Sequence, residues 1–377
     1  MNRTAKMRIF YAAHSSATLA GNSKVWDHNL LLPLKDLGHD VIRFDYDLDT
    51  HIRDLWLRRH GRPKLERVLL KQLGAADATG KVDLFFSYFD ASMIAPAVLG
   101  QIRRMGIVTV NWYCNASYQF EKVAPIAPAY DYCLVPEKCR LEDYRRVGAR
   151  PIYCQEAANP NFYKPSPGEF LYDVSFVGQK YGDRALLVQR LFGAGIRVHV
   201  FGPGWISDKR QQPSLVKRLR SQTPRSLAQS FLGRLRHKPN NSLSKGNLPV
   251  EFLHEPLSDE DMVKTFSRSK INLGFSSCGN TAFGKERVTQ VRLRDFEIPM
   301  SGGFSLTEYM PELGEFFELG REVICYHDAA DLVDKVKHYL AHDQEREAVG
   351  VAGHQRALRD HTWQKRLKQA FAEMALT

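Results

Sequence analysis

Two doubly wound α/β halves facing each other across a cleft are what this sequence predicts, and three observations carry the prediction. Short, near-continuously apolar runs alternate with helical stretches along both halves of the chain, as strands covered on both faces of a parallel sheet do. The stretch AANPNFYKPSPGEF (157–170), with three prolines, a glycine and no periodicity, divides that alternation in two. At 377 residues the chain exceeds one ordinary core.

In order, MRIFYAA (7–13), DVIRFDY (40–46), DLFFSYF (83–89), IVTVNWY (107–113), YDYCLVP (130–136) and RPIYCQE (150–156) read as the strands of the first half. Their β-branched and aromatic content and their length of about seven residues favour strands over buried helices. A helix over 25–37, closed by Gly38, lies between the first two. After the break come YDVSFVG (172–178), a helix at 184–193, RVHVFG (197–202), VEFLHEP (250–256), a helix at 259–267 and KINLGFS (270–276). RDFEIPMSGGFSLTEYMPEL (294–313) combines a short helix, a Gly302-Gly303 turn, a strand over 304–306 and Thr307 as the cap of another helix. EVICYH (322–327) is the last strand, Leu332, Val333, Val336, Tyr339 and Leu340 share one helical face, and a final helix covers 363–374. Two Rossmann-like domains result: 1–158, then a linker at 159–170, then 171–355. The segment 356–377 is expected to pack back toward the first domain.

Composition excludes several classes. Hydrophobic residues make up 44% of the chain, which excludes a disordered protein. No run approaches the roughly 18 to 20 apolar residues that span a bilayer, and the N-terminal apolar run reads as a strand rather than a secretory segment. The six cysteines form no CxxC pair and show no metal-ligand spacing, so reduced thiols in a cytoplasmic protein, and no metal site, are expected. The net charge of +11 is local: residues 208–249 hold ten basic residues against Asp208, a net +9. Within that insertion Leu227, Ala228, Phe231, Leu232 and Leu235 share a face flanked by Arg225, Arg234 and Arg236. Docking on an anionic membrane surface, at the inner face of the membrane, and a solvated surface loop are both compatible with that pattern. No nucleic-acid module is recognisable.

Ligands of open α/β sheets bind beyond the carboxyl ends of the strands. Gly178 follows one strand and leads through a polar loop to Arg184 at a helix start, a place suited to a diphosphate. Gly202 and Gly204 follow the next strand at the same rim. Glu297 is placed to accept hydrogen bonds from vicinal hydroxyls such as those of a ribose. Arg294, one turn earlier, is placed to pair with Glu297 or with a phosphate, and Thr307 and Glu308 close the stretch. The competing reading is an ordinary Arg–Glu pair at i,i+3.

The stretch from RDFEIPMSGGFSLTEYMPEL through EVICYH to HYLAHDQ (338–344), with FVGQKYGDR, FGPGW, VEFLHEPLSDEDM and EAANPNFYKP before it, resembles the CgeB-like GT-B glycosyltransferases. That resemblance implies a nucleotide diphosphate sugar, UDP- or GDP-linked, in the second domain and an acceptor in the first. It also implies no cofactor and no bound metal, and an acceptor that is a glycan or a lipid-linked precursor. By position it makes Glu297 the ribose contact and Arg184 and Arg294 diphosphate contacts. Thr289 stands where many retaining members of the fold carry a second Glu, which leaves the stereochemistry open. A protein of this shape that binds sugar nucleotide or glycan without turnover, as an assembly factor, is the competing reading.

In the first half, Gly21 and Asn22 lie in the loop that would approach the donor phosphates. His14, ending the first strand, is the first candidate for activating an acceptor hydroxyl, and Asp90 is the second. Trp112, Asn115 and Tyr118 are the candidate acceptor contacts, with the aromatic rings offering faces to a sugar. The DxD in FDYDLD (44–49) reads as a solvated acidic loop.

Overall fold

The computed structural model describes residues 6–15, 23–206, 248–279, 281–283 and 286–376. Two fully parallel six-stranded sheets organise them. The first, in order β2-β1-β3-β4-β5-β6, consists of β1 (Arg8–Ala12), β2 (Asp40–Arg43), β3 (Leu84–Ser87), β4 (Val108–Trp112), β5 (Tyr132–Val135) and β6 (Pro151–Tyr153). The second, in order β12-β11-β10-β7-β8-β9, consists of β7 (Tyr172–Val177), β8 (His199–Phe201), β9 (Leu253–His254), β10 (Ser269–Leu273), β11 (Ser305–Glu308) and β12 (Ile324–Tyr326). Each strand falls within a run expected from the apolar pattern, except that β10 begins one residue early and β11 runs on through Glu308. The central strands are buried along almost their whole length, β3 completely, because helices cover both faces.

The first-half helices are α1 (Leu32–Asp36), α2 (Leu48–Arg53), α3 (Leu55–His60), α4 (Arg62–Thr79), α5 (Pro96–Arg104), α6 (Ala116–Val123) and α7 (Leu141–Arg146). The second-half helices are α8 (Arg184–Gly193), α9 (Asp259–Ser267), α10 (Leu293–Met300), α11 (Ala329–Ala341), α12 (Asp343–Asp360) and α13 (Trp363–Glu373). Where one regular helix was expected over 25–37, a π-helical turn at Asp27–Leu31 precedes α1, and Pro33 opens the α-helical part. Pro33 has no N–H to give. The acidic loop after β2 is used locally: Asp47 caps α2 by accepting the Thr50 N–H at 2.9 Å.

Helix α10 stops where the sequence says it should. Gly302 has φ +75° beyond its end, a left-handed conformation that glycine adopts without penalty. Past that glycine the chain departs from the expectation. Thr307 caps no helix; it lies within β11, fully enclosed, and its hydroxyl donates to Asp295 at 2.9 Å. The turn needed after β11 is supplied instead by Pro311, which opens a short 3₁₀ segment.

Helix α13 leaves the second half and completes the first. Trp363, Leu367 and Phe371 are buried within the same cluster as the β1, β3 and β4 side chains, and Trp363 meets Trp112 edge-on at 5.4 Å. Polar contacts also join the halves. Asp259 accepts from Ser23 Oγ at 2.7 Å and the Lys24 N–H at 2.6 Å, and Tyr153 donates to Glu312 at 3.0 Å.

Candidate active site

Between the two sheets lies a solvent-open cavity of roughly 270 Å³. The first half contributes Trp26, Tyr88, Cys114, Asn115 and Tyr118 to its wall. Glu156, three residues past β6, adds a carboxyl, and the second half contributes the β7–α8 loop with Arg184, the end of β10, and Gln290 with Arg292 to Asp295 at the start of α10. The wall is therefore built from the carboxyl rims of both sheets and the amino ends of α8 and α10, where free N–H groups favour an anion.

Its chemistry is set by arginine. Arg184 is 7% exposed. Its guanidinium donates to the Gln179 carbonyl at 2.9 Å, the Tyr181 hydroxyl at 2.6 Å and the Phe275 carbonyl at 3.3 Å. Arg292 donates to the Ser277 carbonyl at 2.6 Å. Neither makes an ion pair among the described residues, and the Nε of each is buried without a partner. Burial, with Arg292 nearby, pulls the Arg184 guanidinium down to about 10. Burial penalises both cations, although around Arg292 the groups that favour its charge, Tyr181, Cys278, Tyr118 and Glu156, outweigh that penalty and raise its pKa. An anion that joins the pair adds to what the wall supplies.

Of the two acids on the same wall, Asp295 keeps most of its charge at neutral pH and Glu156 does not. Asp295 caps α10 by accepting the Arg292 N–H at 2.8 Å, and burial raises its carboxyl to about 6. Glu156 is 5% exposed, and burial raises it to about 8, a trend Arg292 opposes and Glu137 and Asp295 reinforce. It is thus mostly protonated at neutral pH. No sequence signal pointed to Glu156, an acid at the end of an apolar run, nor to Arg292, two residues before a more obvious arginine.

Stability should depend on pH as a result. A carboxyl raised from 4.5 to about 8 in the folded chain stabilises fully below the unfolded value, and that stability is lost as pH rises through the folded one. Each unit of difference corresponds to about 1.4 kcal/mol. The melting temperature should fall between pH 5 and pH 8.5, and Glu156→Gln should flatten that slope; an unchanged slope in thermal melts would remove Glu156 as its source.

Of the residues singled out in the sequence, Gly178, Arg184, Arg294, Asn115 and Tyr118 line the cavity. Tyr118 donates to Asn115 at 3.1 Å and Asn115 to Tyr88 at 3.1 Å, a polar chain along the first-half wall. Gly202 and Gly204 stand behind the wall. A Cβ at Gly202, whose φ is +142°, would lie 2.4 Å from the Gly178 carbonyl oxygen, so it serves the contact of two loops. Gly21 and Asn22 lie outside the described residues, as does most of the insertion 208–249.

Five residues have places other than those expected of them. Glu297 is fully enclosed: Oε1 accepts from Asn29 at 3.1 Å and from Tyr163, and Oε2 pairs with Arg294. In this conformation no ribose reaches it, and its work is to join the halves. Trp112 has no exposed surface and packs between Trp26 and Trp363, so it offers no face to a sugar. Glu308 holds Arg287 through both carboxylate oxygens and accepts the Ser276 N–H at 3.3 Å. Asp90 is committed to Arg58 at 2.9 Å and to the Ser92 N–H at 2.8 Å. His14 packs on Tyr88 with ring centroids 4.4 Å apart, one ring back from the cavity.

Among the described residues, one group has its donor atoms close enough to share a metal ion: His338, His342 and Glu345, all exposed and none on the cavity wall. No helix among the described residues is long and apolar enough to cross a membrane.

Two parallel Rossmann-like domains with a charged cavity between them are the GT-B arrangement. A family model described as glycosyl transferase-like matches residues 184–372, and the chain belongs to that family. The fold is shared with solved structures of low identity. Sucrose-phosphate synthase from Thermosynechococcus elongatus has TM-score 0.62 at 13% identity, covering 98% of this chain and 99% of that one. HepE from Anabaena, in complex with UDP and glucose, has TM-score 0.60 at 11% identity, covering 98% and 100%. AviGT4, a glycosyltransferase involved in avilamycin A biosynthesis, has TM-score 0.53 at 15% identity, covering 97% and 96%. No curated protein matches the chain in sequence.

Proposed function

We propose that the chain transfers a sugar from a nucleoside diphosphate sugar, UDP- or GDP-linked, to a hydroxyl of a glycan or lipid-linked acceptor, as a CgeB-like member of its family. The observation that carries this reading is the pair on the cavity wall, Arg184 buried and Arg292 half-buried, neither of them in an ion pair among the described residues. A diphosphate supplies the missing anion, and the two guanidiniums with the α8 and α10 amino ends stabilise the charge that develops as the diphosphate leaves. Cations already in place make a metal unnecessary for that step, so transfer is expected to proceed without one.

The remaining wall suits the two organic parts. Tyr181, Phe176 and Phe275 offer faces to the donor, while Tyr118, Asn115 and Tyr88 offer a ring and polar atoms to the acceptor. Glu156, just past β6, stands on the same wall. Only its ionised fraction, which gives its proton to solvent and grows as pH rises toward about 8, accepts the proton of the incoming hydroxyl. A cell-surface glycan, assembled on the cytoplasmic side, fits a donor drawn from the nucleotide-sugar pool.

Thermal melts against UDP, GDP, dTDP, ADP and CMP without metal test the donor half of this reading. A ligand that binds the folded state must raise the midpoint at saturation. One nucleoside diphosphate standing out is the expected result; no shift with any would overturn the assignment. The second reading, binding without turnover, is favoured by Thr289, whose backbone bridges Ser277 where a carboxylate was anticipated. Slow hydrolysis of the matching sugar nucleotide in the absence of acceptor separates the two, because only an enzyme produces it.

A further inference from the structure

Beside the acceptor half of the cleft the surface carries a feature that sugar transfer alone does not require. Leu55 and Trp56, consecutive in α3, are 58% and 65% exposed. An exposed tryptophan next to an exposed leucine forfeits much of what burying either would gain. Around them the chain is strongly basic: residues 53–71 hold seven Lys and Arg against Asp54 and Glu66, a net +5. Both acids are tied down locally. Asp54 caps α3 by accepting the Trp56 and Leu57 N–H groups, and Glu66 accepts the Ala95 N–H at 2.7 Å. Arg53, Arg59, Lys64 and Arg67 are exposed and make no ion pair among the described residues.

We propose that α3 and the start of α4 form a docking surface for an anionic lipid bilayer, with Leu55 and Trp56 entering the interface and the surrounding cations meeting lipid phosphates. Tryptophan beside basic residues is the composition that settles at the boundary of headgroups and acyl chains. The like charge of the patch opposes a two-fold dimer through it, since such an interface would bring +5 against +5. Nucleic acid is disfavoured too, because the patch offers Trp56 beside His60 but no ladder of aromatic rings on which successive bases would stack.

Placement ties this surface to the cleft. Arg58 of α3 reaches Asp90 at 2.9 Å and Ser92 at 3.2 Å, in the loop after β3. Two residues before Asp90, Tyr88 lines the cavity. A bilayer against α3 therefore lies on the side from which an acceptor would enter. The inference rests on the reading of a lipid-linked acceptor, and it concerns residues distinct from the insertion 208–249.

Co-sedimentation of the full chain with vesicles decides it. Vesicles of phosphatidylcholine with about one third phosphatidylglycerol should retain the protein at low salt and release it at high salt, since exposed charges are screened. Vesicles of phosphatidylcholine alone should not retain it. Leu55→Ser with Trp56→Ser should weaken retention at least tenfold, and Arg59→Glu with Arg67→Glu should do the same. Both variants should keep the wild-type melting shift with nucleoside diphosphate. That control separates this inference from the donor assignment, because the vesicle result stands whether or not a nucleotide binds. Unchanged retention of either variant, equal retention on neutral vesicles, or a concentration-dependent dimer abolished by the Leu55 and Trp56 changes would overturn it.

Discussion

Arg292→Met should cost the protein its nucleoside diphosphate and change the stability of the empty protein little. In the structure this guanidinium gives one hydrogen bond to a carbonyl and leaves its Nε without a partner. Burial penalises that cation while Tyr181, Cys278, Tyr118 and Glu156 favour its charge, so the two effects oppose each other and an apolar side chain of similar length is tolerated. Hydrogen bonds to a charged group are worth about 1.5–3 kcal/mol, so the dissociation constant should rise by about ten- to a hundredfold. Calorimetric titration with UDP or GDP beside a thermal melt of the empty protein checks both halves. Arg184→Met should weaken the same ligand to a similar degree. Its effect on the empty protein should be less favourable, because Arg184 also satisfies the carbonyls of Gln179 and Phe275. A loss of stability in Arg292→Met with unchanged affinity would make the arginine structural.

Glu297→Ala should do the opposite. The residue has no exposed surface and satisfies Asn29, Tyr163 and Arg294 together. Its removal strands a cation and two donors at the junction of the halves. Breaking a buried pair from one side costs about 3–5 kcal/mol, which for units of this size lowers the melting midpoint by roughly 10 °C. Affinity measured below the new midpoint should change less than in Arg292→Met. If nucleotide binding is abolished while the midpoint holds, Glu297 is a ligand contact after all. Glu297→Gln should be milder, because the amide keeps an acceptor for Tyr163.

These contrasts mark where sequence reading reaches its limit. The strand pattern was legible from end to end because a parallel sheet covered on both faces demands apolar runs whatever surrounds them. Helix α9 was equally plain, since Ser258 caps its start by accepting the Asp261 N–H. The wall of the cavity was legible only at its rims. The stretch RLRDFE holds two arginines two apart, and only packing shows that Arg294 is paired with Glu297 while Arg292 is left without an acid. Thr307 read as a cap because Thr before Glu often is one; the neighbouring strands made it part of a sheet. Trp112 and Tyr118 carry the same local signal of an aromatic near a strand end, and long-range contacts with Trp26 and Trp363 separate them. Glu156 gave no signal because its character comes from its surroundings.

The return of α13 into the first half has a consequence for how the chain is made. Synthesis delivers the six strands of the first sheet early, yet Trp363, Leu367 and Phe371, which close over its core, arrive roughly 200 residues after the last of them. At about 5–20 residues per second that is a wait of some tens of seconds. Throughout that interval the nascent first half carries an open apolar seam beside Trp112. It is made before the second half and finished after it, and whatever shields that seam on the ribosome governs how much of the chain matures.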